Sequence, residues 1–196
     1  MADVRPGGRT ARVRASVLQA TGDLLAEHGF AHLDLAEVAR QAGVGRTTVY
    51  RRWGTTTALV TDLLVDMAEQ SLRRTDAGSL LGDLCGNARL VQRTLSDPRQ
   101  GALFKAIIAA ATCDEQAAAA LREFYRTRVA EWAPCVELAI ERGEVPAGTD
   151  SHEVIRAVSA PLYYQLLITG QIPGEADADR AAEVVCLAAR AGAFIG

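Results

Sequence analysis

Apolar residues recur along this chain at spacings of three and four, and no stretch alternates apolar with polar residues as a half-buried strand would. That periodicity restricts the chain to helix-on-helix packing, an all-α fold. The punctuation between the periodic runs agrees with it. In the first run Val13, Val17, Thr21, Leu24 and Leu25 share one face, and Gly29 follows His28 as a stop. Asp34 can cap a helix over 35–42, with Glu37 at capping-box spacing. Gly43-Val44-Gly45 interrupts the chain before a short helix over 46–53, which Gly54 ends. Thr55 can then cap a fourth helix reaching about residue 74.

Beyond Asp76-Ala77-Gly78 the helices lengthen. Ser79 opens one to about Leu95, and Asp97-Pro98 opens the next, with Asp as cap and Pro where its missing N–H costs nothing. Asp114 begins a run to Arg142-Gly143 in which Pro134 predicts a kink. Asp150, again with a Glu three residues on, opens a helix to about Gly170 with a second expected kink at Pro161. Pro173-Gly174 precedes a final Ala-rich helix over 177–192. About nine helices are expected.

Charge divides the chain in two. Residues 1–60 hold eight arginines against five carboxylates, whereas residues 61–196 hold 13 basic and 19 acidic side chains. A basic first third makes a polyanion its candidate partner, while the acidic remainder argues against an architectural protein that coats DNA with its whole surface. The expected division is a basic arm and first domain over 1–55, a linking helix over 56–75, and a C-terminal domain over 76–196.

Several function classes find no support. Cys85, Cys113, Cys135 and Cys186 stand 28, 22 and 51 positions apart, without the paired spacing of a zinc site, so neither metal nor cofactor is expected. No nucleophile–base pair or paired carboxylates suggest an all-helical enzyme, and Gly43-Val44-Gly45-Arg46-Thr47-Thr48 lacks the lysine of a phosphate-binding loop. No apolar run is long enough to span a membrane, and the charged N-terminus does not read as a secretory signal; a cytoplasmic chain is expected.

Helix 35–42, the glycine turn and helix 46–53 have the spacing of a helix-turn-helix, with Val38, Ala39, Val44 and Val49 as its small apolar contacts. With Val49 inward, Thr47 and Arg51 point away from the core, Thr48 and Tyr50 lie on the flanks, and Arg46 stands at the N-terminal end. Arginine can grip guanine bidentately, threonine can meet a thymine methyl or a phosphate, and a tyrosine hydroxyl can reach a phosphate. The plainer alternative is that Arg46, Arg51 and Arg52 merely solvate a surface helix. The basic arm Arg5, Arg9, Arg12 and Arg14 favours DNA.

Gly29-Phe30, Leu33, Val38-Ala39, Ala42-Gly43-Val44, Val49-Tyr50, Trp53 and Leu59 together resemble the DNA-binding domain of TetR-family transcriptional regulators over roughly residues 10–65. The resemblance implies a homodimer on a double-stranded DNA operator, with Arg46, Thr47 and Arg51 facing bases and Thr48, Tyr50 and Arg52 near phosphates. Two residues depart from the family pattern. Asp34 stands where Thr or Ser is common, and Thr56 stands in place of a frequent lysine, weakening that phosphate contact. Residues 141–144 and 161–170 are similar to one C-terminal subgroup of the family.

The implied C-terminal domain binds a small-molecule effector and dimerises through its last two helices, here through Ala181, Ala182, Val185, Ala188, Ala189 and Gly192 or else through a tight pair within one chain. Candidate effector contacts are Phe104, Phe124, Tyr125, Arg128, Trp132 and Tyr163, with Trp132 foremost because it precedes Pro134. The expected function is a ligand-responsive repressor. An activator of the same family would carry the same DNA-binding domain.

Overall fold

The computed structural model describes residues 8–69 and 76–196. Arg5 and the expected end of the fourth helix near residue 74 lie outside the described residues. Among those described, the chain forms ten α-helices and no strand: α1 Arg9–His28, α2 Leu35–Gln41, α3 Arg46–Arg52, α4 Thr56–Glu69, α5 Leu80–Ser96, α6 Pro98–Cys113, α7 Glu115–Trp132, α8 Pro134–Glu141, α9 Ser151–Tyr164 and α10 Glu175–Arg190. A 3-10 turn at Phe30–His32 and a π-helical segment at Gln165–Thr169 complete the set.

Local chemistry starts six of the helices where a short polar side chain can accept the free N–H groups of the first turn. Asp34 accepts from Ala36 and Glu37 at 2.8 and 3.0 Å. Thr55 accepts from Ala58, Ser79 from Gly82, Asp97 from Gln100, Asp114 from Ala117 and Asp150 from Glu153. Neither expected capping box closes on its glutamate side, because Glu37 turns to Arg40 and Glu153 to Arg156, each three residues on.

At Pro134 the i→i−4 ladder is interrupted between α7 and α8, while Ala133 between them keeps right-handed helical angles (φ −48°, ψ −39°), and Pro134 takes the first position of α8, where it needs no N–H partner. At Pro161 the helix continues to Tyr164 and then widens into the π-helical segment, which Gly170 ends in the left-handed conformation.

The chain divides into two compact units, residues 1–70 with 102–124, and residues 71–101 with 125–196. The first unit thus includes a segment that the sequence reading grouped with the C-terminal domain. In it α1 packs on α2 and α4, and α2 packs on α3. Val17, Leu25, Val38, Ala39, Val49, Leu59 and Val60 are almost wholly buried, and the hydroxyl of buried Thr21 donates to the Val17 carbonyl at 2.8 Å.

In the second unit α10 packs on α5 and α9, and α9 also meets α8. The small residues expected to face a second chain, Ala181, Ala182, Val185 and Ala189, are buried within this unit. Small side chains let helices approach closely, and here that approach occurs inside one chain. Val184 and Leu187, on the other face of α10, are the exposed ones.

Candidate functional site

The turn between α2 and α3 begins at Gly43, whose φ of +65° is a backbone conformation that side-chain-bearing residues avoid. Its N–H donates to the Arg40 carbonyl, and the next N–H, of Val44, donates to Ala39, which closes α2. The Gly45 carbonyl accepts from Thr48 at 2.9 Å and starts α3. Val38, Ala39 and Val49, each with no exposed surface, hold the two short helices together.

With Val49 inward, α3 exposes Arg46, Thr47, Tyr50, Arg51 and Arg52, while Thr48 is half-buried on the flank. Thr56 is half-buried at the first position of α4. Arg9, Arg12, Arg46 and Arg51 have no ion-pair partner among the described residues. Several arginines elsewhere are engaged: Arg89 with Asp179 at 2.7 Å, Arg142 with Glu144 at 2.6 Å and Arg156 with Glu153 at 2.8 Å. An exposed face of uncompensated guanidinium groups attracts a polyanion.

One expected arm residue has a different place. Arg14 turns inward to α4, 2.8 Å from Asp62 and 2.6 Å from Asp66. Asp62 also accepts the indole N–H of Trp53 at 2.9 Å, and the Arg52 guanidinium lies 4.9 Å from the centre of the Trp53 ring. This network ties α1 and α4 to the end of α3. Burial pushes the Asp62 carboxyl up, but bonds from Arg14 and Trp53 outweigh it and hold the group below the usual carboxylate range. The sequence reading missed this tie; its signal was the pair Asp62 and Asp66, one turn apart on an apolar helix. A second tie joins the Thr57 hydroxyl, in the first turn of α4, to Asp114, the cap of α7, at 3.0 Å.

The six candidate effector residues fall in two groups. Phe104 and Phe124, both buried in the first unit, have ring centres 5.9 Å apart. In the second unit Tyr125 and Tyr163 meet edge to face at 5.6 Å, and burial pushes both phenols up. Arg128 pairs with Glu131 at 2.6 Å. Trp132 is buried against Gly86, where an added Cβ would come within 3.7 Å of its ring, and its indole N–H has no acceptor among the described residues. The side-chain oxygen of buried Asn87 on α5 likewise has no donor. Asn87 was not among the expected residues, although its place on a helix between Leu84 and Ala88 marks it as a polar break in an apolar stripe. No three metal-ligating side chains gather among the described residues, and no helix there is long and apolar enough to cross a membrane.

Two short helices about a left-handed glycine, with unpaired arginines on the exposed face of the second, define a helix-turn-helix DNA-binding protein. Residues 17–63 match the family of bacterial regulatory proteins called tetR, and residues 74–185 match a tetracyclin repressor-like C-terminal domain. The chain belongs to the TetR family of DNA-binding transcriptional regulators. It is 31% identical to the HTH-type transcriptional regulator YdeS of Bacillus subtilis, over 79% of this chain and 78% of that one. The HTH-type transcriptional regulator AqdR of Rhodococcus erythropolis is 33% identical over 75% of this chain and 70% of its own. A TetR-family regulator from Mesorhizobium loti shares the fold with a TM-score of 0.74 at 21% identity, covering 95% of this chain and 98% of that one.

Proposed function

We propose that the chain is a ligand-responsive repressor, bound to its operator as a homodimer and released when a small molecule enters the C-terminal domain. Residues 1–55 read DNA, 56–75 link, and 76–196 sense and dimerise. Arg46 and Thr47 meet base edges and Tyr50 meets the backbone of the same site. The observation that supports ligand response is that two buried polar atoms, the Trp132 N–H and the Asn87 oxygen, have no partner among the described residues. A buried polar group left unbonded costs free energy, and an effector offering an acceptor to Trp132 and a donor to Asn87 removes that cost.

Dimerisation draws support from the second unit's surface, where Tyr164, Ile168, Ile172, Val184 and Leu187 are 58–69% exposed. Exposed large apolar side chains favour association, and a single helix-turn-helix gains specificity by pairing with a second half-site. Repression asks only that the dimer occupy a promoter in the cytoplasm.

The test is run-off transcription from promoters captured on the purified protein. Adding the protein should lower transcript yield, and the cognate effector should restore it for the wild type. A rise in transcript on adding the protein alone would make it an activator.

A further inference from the structure

Within the first unit a cleft of about 600 Å³ opens between the start of α1 and the helix-turn-helix. Arg9 and Thr10 form one wall, the Gly43–Gly45 turn forms its floor, and Thr48, Arg51 and Arg52 form the other wall. Three arginines thus line one cleft, and no carboxylate stands among its described lining residues. Arg9 and Arg51 have no ion-pair partner among the described residues. The first turn of α1 adds to this field, because its cap is Gly8, which has no side chain to accept its N–H groups, and that turn contains no acidic residue. Like charges gathered without a counter-charge repel one another, and an anion seated between them relieves that repulsion.

The cleft is too large for one inorganic phosphate alone and is open to a run of backbone. It also takes its residues from one flank of α3: Thr48, Arg51 and Arg52 line it, whereas Arg46, Thr47 and Tyr50 do not. Resting on the DNA-binding reading, we propose that this cleft seats the sugar–phosphate backbone of one DNA strand, with Arg9 and Arg51 clamping the same phosphodiester. Arg51 is then a positioning residue that sets how deep α3 lies in the major groove, and base reading falls to Arg46 and Thr47. This departs from the base-facing role that the family resemblance implies for Arg51.

The experiment uses the full chain and a random-sequence duplex pool, measured by fluorescence anisotropy over a salt series, followed by selection of the preferred sequences. Arg9→Ala and Arg51→Ala should each weaken binding about tenfold and flatten the salt dependence by about one phosphate contact. Neither should alter which bases are selected, whereas Arg46→Ala should relax one base position. The double variant should lose less than the product of the two single losses, because both side chains hold one phosphate. Both arginines are exposed, so circular dichroism should report unchanged folding.

A shifted base preference in Arg51→Ala, an unchanged salt slope, or multiplicative losses in the double variant would overturn the proposal. So would inorganic phosphate perturbing the Arg51 side-chain resonance in a protein whose duplex binding neither variant affects. If the wild type bound no duplex, the DNA-binding reading would fall as well; failure confined to the variants leaves that reading standing.

Discussion

The two units distribute their polar groups in opposite ways. In the first, interior polar groups are bonded to one another, Arg14 to Asp62 and Asp66, Trp53 to Asp62, while Arg9, Arg12, Arg46 and Arg51 on the surface have no ion-pair partner among the described residues. In the second, Arg89 is held by Asp179 and Arg142 by Glu144, while Trp132 and Asn87 keep atoms inside that are unbonded among the described residues. The contrast matches what the proposed function asks of each unit. DNA offers the same phosphate charge at every step, which a firm frame with free cations on its surface suits. The small molecule of the proposal must be enclosed to be distinguished, which free donors and acceptors in the interior suit.

The largest effect should come from Trp132. Truncation to Ala at this buried position should cost about 3–5 kcal/mol of stability and so confuse folding with sensing. Trp132→Phe removes the N–H while keeping most of the ring, and should leave stability within about 1 kcal/mol of wild type. Thermal unfolding checks the first statement. DNA titration with the effector checks the second, where Trp132→Phe should bind operator normally and respond weakly. If Trp132→Phe lost DNA binding while folded, Trp132 would belong to the frame and the contrast between the units would fail.

Asp62 tests the frame itself. Asp62→Asn removes the charge that Arg14 faces and should cost about 1–3 kcal/mol. The same group gives a pH dependence with a definite sign. Its folded carboxyl lies below the ordinary value, so its contribution is fully present above about pH 4 and is lost as the pH falls through its own lower value. Urea unfolding over an acid series should show the wild type converging on Asp62→Asn in that range. A constant gap between the two would mean that the carboxylate is not held by Arg14.

Arg46→Ala should weaken binding to the preferred site by about 1–3 kcal/mol, with relaxed choice at one base and unchanged unfolding. Thr57→Val should be smallest, about 0.5–1.5 kcal/mol, the worth of its bond to Asp114. If α7 passes its movement to α4 through that bond, this variant should bind DNA normally yet respond less to effector in the same titration.

Much of the fold was legible because capping is local. Asp34, Ser79, Asp97, Asp114 and Asp150 each satisfy N–H groups two or three residues away, so their sequence neighbourhood suffices. The glycine turn and the inward Val49 are likewise short-range facts. What escaped depends on distant partners. Arg14 reads as an arm residue until Asp62, 48 positions away, is brought beside it. The small-residue stripe of α10 reads first as an interchain seam, and its burial against α5 and α9 within one chain depends on partners far away in sequence.

The most direct measurement is capture of genomic fragments on the purified protein, followed by alignment of the recovered sequences. The account predicts a small set of sites with two-fold symmetry, their half-sites about one helical turn or a multiple of it apart. It also predicts that those sites vanish from the captured set when Arg46 and Thr47 are both replaced by Ala, while Trp132→Phe recovers the same sites as wild type. Fragments recovered without common sequence or symmetry, or an unchanged set from the Arg46 and Thr47 variant, would contradict it.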